Sequence, residues 1–307
     1  MTTPRKVLID PVVPLFYHLV SRCVRRSYLC GYDHVTRRNY KHRKQWLIDR
    51  LMLLGKYFAV EVHAYTIMSN HFHLVVYYDP LACQRWSDEE VADRWLSVCP
   101  PRLAGGAVDV LALLVVKETL LQDEARLRHI RKELGSVSTF MKFLKQPIAR
   151  RANVEDECTG HFFEQRFYSG ALLDNESILA AMAYVDVNPI RAEIERTVEA
   201  CHDSSISVRL RAAANSADAL DAALAPLVSG LAECGRIVNV SLREYVRLLK
   251  SIFEAREGTV VDPDQDDRWR LHVASLHKRQ RAYGMLENLE QWVASRGLQR
   301  RERPLDA

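Results

Sequence analysis

Two apolar segments separated by only two residues constrain the fold of this chain more than any other feature. Residues 60–68 and 71–77 are rich in β-branched and aromatic residues, and Ser69-Asn70 between them suits a tight hairpin turn. Residues 15–24 alternate aromatic and aliphatic side chains, and residues 42–58 carry the apolar stripe of an amphipathic helix. The order strand, helix, strand, strand therefore predicts most of a ferredoxin-like sheet.

The segment that follows the hairpin is predicted to be mainly helical. Ser87-Asp88-Glu89-Glu90 is a capping box that opens a helix. The pairs Pro100-Pro101 and Gly105-Gly106 interrupt the chain and mark residues 100–135 as an insertion, which a helix completes. Residues 138–153 then have the apolar spacing of another amphipathic helix.

Two short strands are predicted next, at residues 162–164 and 167–169. Asp174 is a suitable N-cap for a helix that starts near residue 175. This helix should end at Asn188, because the residue before Pro189 avoids the α region.

Together these segments predict an α+β protein in two parts. Residues 1–195 form a domain with a ferredoxin-like β-α-β-β-α-β core and a helical insertion, and residues 196–307 form a C-terminal helical region of unknown role. A chain of 307 residues is long enough for one large core and an appended domain.

The composition predicts a cytoplasmic protein without a membrane segment. No apolar run approaches the roughly 18 residues that a membrane span requires, and the first residues lack the apolar stretch of a signal peptide. The seven cysteines are odd in number and none forms a C-x-x-C pair, so reduced thiols are expected rather than disulfides or a zinc knuckle.

Positive charge is concentrated at the start of the chain. The formal net charge is only +4, but residues 1–60 hold 12 Lys or Arg against three Asp. A concentrated basic segment is the expected footprint of a phosphate-backbone partner, although a solvated surface without a function has the same composition.

Four polar residues would form a site if the second hairpin strand meets the helix near residue 184. His71 and His73 share one face of a strand and lie about 7 Å apart. Tyr184 and Asn188 are four residues apart and share one face of the helix. Two imidazoles, an amide oxygen and a phenol can hold a divalent metal beside a nucleophile. Taken one at a time, each also has an ordinary structural explanation, such as a partly buried tyrosine whose hydroxyl finds one partner.

The combination resembles a known family. The segments Met68-Ser69-Asn70-His71-Phe72-His73, Phe162-Phe163-Glu164-Gln165-Arg166-Phe167 and Tyr184-Val185-Asp186-Val187-Asn188-Pro189-Ile190-Arg191-Ala192 look like those of the single-tyrosine HUH transposases. The most similar branch is the one associated with repetitive extragenic palindromic (REP) sequences. The resemblance covers about residues 12–195 and does not extend to the insertion or the C-terminal region.

This resemblance implies a transposase that cuts and rejoins single-stranded DNA carrying a hairpin. His71, His73 and Asn188 would bind Mg²⁺ or Mn²⁺, and Tyr184 would be the catalytic nucleophile that forms a 5′-phosphotyrosine. Rejoining would need no ATP, and the sequence contains no P-loop motif. The protein would be a monomer or homodimer, located at the nucleoid when bound to DNA. Six arginines are candidates for contacts with DNA: Arg22, Arg25, Arg26, Arg150, Arg151 and Arg166.

Two other functions remain open at this point. One is a metal-dependent phosphodiesterase whose nucleophile is water, with a purely structural Tyr184. The other is a catalytically silent protein that binds hairpin nucleic acid on the same fold. Covalent trapping of DNA distinguishes the first from a transposase, and binding of a hairpin without metal or cleavage would favour the second.

Overall fold

The computed structural model describes residues 3–24, 28–34, 37–214, 216–231, 235–254 and 263–305. Up to the middle of the chain its elements are α1 (Arg5–Leu8), β1 (Leu15–Arg22), β2 (Tyr32–Asp33), β3 (Arg38–Asn39), α2 (Arg43–Tyr57), β4 (Val60–Ile67), β5 (His71–Tyr78), α3 (Ala82–Arg85), α4 (Asp88–Val98), α5 (Val110–Leu121), α6 (Glu124–Leu134) and α7 (Val137–Glu155). The remaining elements are β6 (Tyr168–Leu172), α8 (Asn175–Arg191), α9 (Ser205–Ala213), α10 (Ala217–Asp221), β7 (Ala223–Leu224), β8 (Val228–Ser229), β9 (Val238–Ser241), α11 (Leu242–Glu254), α12 (Pro263–Ser275), β10 (Ala282–Tyr283) and α13 (Leu286–Ser295).

Six strands form one mixed sheet in the order β10-β6-β1-β5-β4-β8. Strand β1 is antiparallel to both β5 and β6, and β4 is antiparallel to β5. Helix α2 connects β1 to β4, and the helices from α3 to α7 connect β5 to β6. The four central strands therefore have the connections of a β-α-β-β-α-β unit, and the predicted α+β class is confirmed.

Alternation along the strands divides the core into two layers. Tyr17 of β1 and Phe72 of β5 belong to a hydrophobic cluster with leucines of α2 and α7. Phe16 of β1 and Val75 of β5 belong to a second cluster, on the side of the sheet that α8 covers. Successive side chains of a strand point to opposite faces, so every second residue of β1 and β5 faces α8.

The C-terminal region extends the sheet at both edges. Strand β8 pairs with β4, and β10 pairs in parallel with β6. Helices α11 and α12 pack on α8. The region was predicted to be helical, and its described residues form the short strands β7 to β10 as well as helices; the boundary at residue 195 stays a prediction. Within the described part of the chain no helix is long and apolar enough to cross a bilayer.

Residues 162–164 do not form the predicted strand. Phe163 makes only an isolated bridge with Cys23, and β6 begins at Tyr168. Phe162 and Phe163 are both buried in the first cluster. The apolar character of this segment therefore reflects a buried loop rather than a sheet strand.

The predicted end of the helix at Asn188 is also wrong, because α8 continues through Pro189 to Arg191. Proline removes a single backbone donor, and here it does so only near the end of the helix. Beyond the C-cap residue Ala192, Glu193 turns the chain out of the helix with a left-handed φ of 58°. The N–H of Ile194 donates to the carbonyl of Pro189 at 2.9 Å, as in a Schellman cap.

A buried carboxylate connects α8 to the C-terminal region. Asp186 accepts hydrogen bonds from the hydroxyl of Ser205, from the N–H of Ile206 at 2.9 Å and from the hydroxyl of Tyr245 at 2.8 Å. The same Ser205 oxygen accepts from the N–H of Tyr65 on β4 at 3.0 Å. Burial raises the pKa of Asp186 even though these three donors favour its charged form.

We expect Asp186→Ala to lower the free energy of unfolding by about 2–4 kcal/mol, because it leaves the hydroxyl of Tyr245 and the N–H of Ile206 buried without an acceptor. Urea unfolding followed by fluorescence measures the change. The control is Glu176→Ala, which removes an exposed acid from the same helix and should cost less than about 0.5 kcal/mol. Equal losses in the two variants would contradict the role assigned to Asp186.

Candidate active site

Three histidines face α8 from the two central strands. His18 of β1 and His71 and His73 of β5 occupy alternate positions, as the two-residue period of a strand requires. The imidazole centroids of His71 and His73 lie 4.9 Å apart, and the ring of His18 stacks on that of His73 at 5.2 Å. Arg22, the last residue of β1, is paired with His71 of β5 in the sheet, which places a cation next to the histidines.

Helix α8 brings a tyrosine and an asparagine onto this cluster. Asp174 and Ser177 form a capping box that fixes the start of the helix. Tyr184 and Asn188 follow on one face, a turn apart. The ring of Tyr184 lies 5.6 Å from that of His73, and the amide nitrogen of Asn188 lies 3.1 Å from His73 Nε2. The structure therefore brings His71, His73, Tyr184 and Asn188 together.

Helix α8 presents Tyr184 to the sheet. The ring of Tyr184 lies against that of His73, and the residue is only 8 % exposed. The aliphatic side chains of α8 are also largely buried, in the cluster that includes residues of α11 and α12.

Hydrogen bonds orient both imidazoles of β5. His71 Nδ1 lies 2.7 Å from the side-chain oxygen of Asn70, and His73 Nδ1 lies 2.9 Å from His18 Nε2. If each Nδ1 carries the proton, the Nε2 lone pairs of His71 and His73 remain available to a ligand. Histidines that bind a metal through one ring nitrogen usually donate a hydrogen bond from the other.

All three histidines are neutral at physiological pH. Burial lowers the pKa of His18 to about 3 and that of His71 to about 4, and it places the pKa of His73 well below its ordinary value. The positive charge of Arg279 lowers all three pKa values further. Neutral imidazole is the form that binds metal ions.

The donor set fits a divalent metal only if it includes Asn188. Among the residues that the structure describes, no group of three or more His, Cys, Asp or Glu side chains is arranged to hold a metal ion. Two imidazole nitrogens and an amide oxygen are ligands that Mn²⁺ accepts, and Mg²⁺ less readily. The carboxamide of Asn188 already contacts His73 Nε2, and a flip presents its oxygen there in place of its nitrogen.

Tyr184 combines a desolvated phenol with nearby cations. Burial raises the pKa of Tyr184 above its ordinary value, and Arg191, Arg279, a hydrogen bond to Asn188 and Arg22 offset this effect only in part. The guanidinium carbon of Arg191 lies 5.4 Å from the centroid of the Tyr184 ring. These cations favour the phenolate, the nucleophilic form of the side chain.

Tyr168 also lies beside the cluster but is held differently. Its ring is 5.8 Å from that of His18. Its hydroxyl donates to the carbonyl of Gln280 and lies 2.7 Å from the hydroxyl of Tyr283. Burial raises the pKa of Tyr168 well above its ordinary value. This phenol is therefore fixed by structural hydrogen bonds, which argues against its use as a nucleophile.

The predicted DNA-contacting arginines are spread over several places. Arg22 lies at the cluster, and Arg166 is exposed just before β6. Arg150 and Arg151 lie on α7, in the helical layer on the opposite face of the sheet from α8, and Arg151 stacks on Trp46 at 3.7 Å. Arg25 and Arg26 lie outside the described residues.

Three residues at the cluster were not among the predicted site residues. His18 could have been identified from its position on the same strand face as Arg22. Arg191 could have been found from its spacing of three residues from Asn188 on the helix. Arg279 belongs to the C-terminal region, and no local pattern connects it with β5 or α8.

We expect the metal-free protein to lose stability as the pH falls from about 7 to about 5. The unfolded chain protonates histidine near pH 6.5, whereas the pKa is about 3 for His18 and about 4 for His71 in the folded protein. The unfolded state thus binds more protons in this range, so the free energy of unfolding rises with pH, by at most about 1.4 kcal/mol per pH unit for each such histidine.

Urea unfolding in the presence of EDTA at several pH values measures this slope. His18→Gln should make the slope shallower, and the surface change His277→Gln should leave it unchanged. A free energy of unfolding that does not vary with pH in this range would contradict the assignment of neutral buried histidines.

Comparison with known proteins identifies no family for this chain. No protein-family model matches it, and no curated protein sequence matches it significantly. A solved structure of a REP-associated tyrosine transposase bound to a REP hairpin is similar at a TM-score of 0.40 and 9 % sequence identity. The similarity covers 69 % of this chain and 86 % of that one. A TM-score this low does not establish a common fold.

Proposed function

We propose that this protein is an HUH-type tyrosine transposase, related to the REP-associated branch, that cuts and rejoins single-stranded DNA carrying a hairpin. The observation that carries the proposal is the packing of Tyr184 and Asn188 of α8 against His73, with His71 beside it. The sequence separates these pairs by more than a hundred residues. Their convergence supports the interpretation of the two motifs as parts of one site.

His71, His73 and Asn188 would hold Mg²⁺ or Mn²⁺, through two imidazole nitrogens and an amide oxygen. The metal, when bound, would supply Lewis-acid polarisation of the scissile phosphate. Asn70 and His18 would keep the two imidazoles in the required tautomer and orientation.

Tyr184 would be the nucleophile. Its phenolate oxygen would attack the phosphorus with loss of the phenol proton to water, and the bond from phosphorus to the 3′ oxygen would break. The products would be a 5′-phosphotyrosine and a free 3′-hydroxyl. Attack of a 3′-hydroxyl on the phosphotyrosine would rejoin the strand and release Tyr184, so no ATP is consumed. Arg22, Arg191 and Arg279 would stabilise negative charge on the phenolate and the phosphate.

The second candidate function is a catalytically silent protein that binds hairpin nucleic acid on the same fold. The burial of Tyr184 and the direct contact of Asn188 with His73 favour it, because both describe a closed cluster. The cations around the cluster would serve that function equally well. The formation of a covalent adduct separates the two candidates.

We expect Tyr184→Phe to abolish the covalent adduct between protein and DNA, since it removes only the nucleophilic hydroxyl. The assay incubates the protein and Mn²⁺ with a DNA hairpin that has a single-stranded extension, and resolves the adduct on a denaturing gel. Tyr168→Phe is the matched control, because that hydroxyl is engaged by Gln280 and Tyr283, and it should retain the adduct.

The same hairpin sequence annealed to its full complement provides a second comparison. A paired duplex is too stiff for its backbone to pass Tyr184, so it should give no adduct. An adduct formed by Tyr184→Phe at the rate of the unchanged protein would overturn the assignment of the nucleophile.

We expect His71→Ala and His73→Ala each to weaken Mn²⁺ binding at least about tenfold, because the remaining ligands hold a hard cation poorly. Electron paramagnetic resonance titration of free Mn²⁺ measures the affinity without reference to activity. The surface change His277→Ala is the control and should not alter it. Adduct formation that persists undiminished in EDTA would rule out a metal requirement.

A further inference from the structure

A cavity bordered by arginines opens next to the candidate active site. It has a volume of about 250 Å³ and lies where the segment before β10 meets the start of β6. Four arginines line it, namely Arg5, Arg166, Arg279 and Arg281. None of the described residues that line this cavity is acidic. The cavity therefore concentrates positive charge without a carboxylate to balance it inside.

The four arginines are not equivalent. Arg281 is neutralised by Glu302, with Nε 2.6 Å from Oε1. In the part of the chain that the structure describes, no acidic side chain lies within ion-pair distance of Arg5, Arg166 or Arg279. The guanidinium of Arg5 stacks on the ring of Phe167 at 3.9 Å. Burial lowers the pKa of Arg5, and the nearby charge of Arg166 lowers it further.

The cavity adjoins the candidate active site through Tyr168. This residue lines the cavity, and its ring lies 5.8 Å from His18. Arg279 lies 5.7 Å from the centroid of the same ring, and its charge acts on His73 and Tyr184. A backbone phosphate in this cavity would therefore be a close neighbour of one at Tyr184.

A second cavity continues the same surface. Its volume is about 460 Å³, and it shares Arg5 and Phe167 with the first. Lys142, Lys145 and the acidic Glu164 also line it. Burial and the charge of Arg5 lower the pKa of Lys145 to about 8. A basic groove thus extends from Arg279 beside the site to Lys142 on α7. Grooves of this kind follow the backbone of a single strand.

We propose that Arg5, Arg166 and Arg279 form a phosphate clamp for the single-stranded segment that flanks the hairpin, and that the C-terminal region contributes the cation nearest to Tyr184. This deepens the proposed function and assigns a role to a region outside the family resemblance. The ligand is the phosphate backbone of nucleic acid. Inorganic phosphate shares that chemistry but would occupy one position where a strand occupies several.

Binding of an oligothymidine of about 15 nucleotides tests the clamp, because the recognition of phosphates does not depend on base sequence. The full-length chain carries Tyr184→Phe to prevent turnover, and fluorescence anisotropy gives the affinity at several salt concentrations. Arg279→Ala should weaken binding about fivefold or more, and the slope of log K against log salt should become shallower by about 0.7 for each phosphate that the variant no longer neutralises. Arg5→Ala and Arg166→Ala should act in the same direction, and Arg279→Lys should retain part of the affinity.

The control is Arg126→Ala, at an exposed arginine of the insertion, which should change neither affinity nor slope. Circular dichroism and thermal unfolding confirm that each variant is folded. Unchanged oligothymidine binding by folded Arg279→Ala would overturn the clamp, as would an equal loss in Arg126→Ala. Loss of inorganic phosphate binding by Arg279→Ala in calorimetry, with oligothymidine binding unchanged, would also overturn it.

The clamp and the proposed function can fail separately. If the unchanged protein forms no covalent adduct but Arg279→Ala still loses oligothymidine binding, the clamp is supported and the proposed transposase activity is contradicted. If adducts form and Arg279→Ala binds oligothymidine normally, the proposed transposase activity is supported and the clamp is contradicted.

Discussion

The burial of α8 on both sides is the constraint on which the rest of the structure depends. On one side Tyr184 and Asn188 rest on the histidines of the central strands. On the other side Asp186 accepts hydrogen bonds from α9 and from Tyr245 of α11. A buried carboxylate is tolerated only when its acceptor sites are occupied. Helix α8, which carries the candidate nucleophile, therefore needs the C-terminal region to supply the hydrogen-bond donors for its buried carboxylate.

The candidate site is a desolvated group of neutral histidines with cations around it. Burial keeps His18, His71 and His73 unprotonated, and Arg22, Arg191 and Arg279 act on the phenol from outside the group. Among the described residues of this cluster there is no carboxylate that could act as a local base or neutralise the arginines. The cluster has the electrostatic character expected of a site for a polyanion.

The sequence suggested two parts in series, whereas the C-terminal region contributes residues to the central sheet and to the candidate site. Strand β10 extends the sheet next to β6, and the segment just before it supplies Arg279 and the carbonyl of Gln280 that holds Tyr168. The edge of the central sheet is thus built from residues more than a hundred positions apart. The α+β core is recognisable from residues 1–195, but its edges and one wall of the candidate site are not.

The sequence by itself determined the local elements and the pairs of residues that share a face. Strand alternation places His71 and His73 side by side, and the helical repeat does the same for Tyr184 and Asn188, since both periods follow from backbone geometry. Two predictions from the sequence were wrong. The end of α8 before Pro189 was wrong because a proline near a helix end removes only one donor. The strand at residues 162–164 was wrong because a buried loop can be as apolar as a strand.

Only the tertiary structure decided which pairs meet and which distant cations join them. His18, Arg191 and Arg279 reach the cluster through the register of β1, the continuation of α8 past Pro189 and the return of the chain at β10. These placements depend on packing between elements remote in sequence, and a periodic pattern within one element carries no information about them. The neutral state of the histidines likewise follows from burial, which is a property of the assembled fold and not of any one segment.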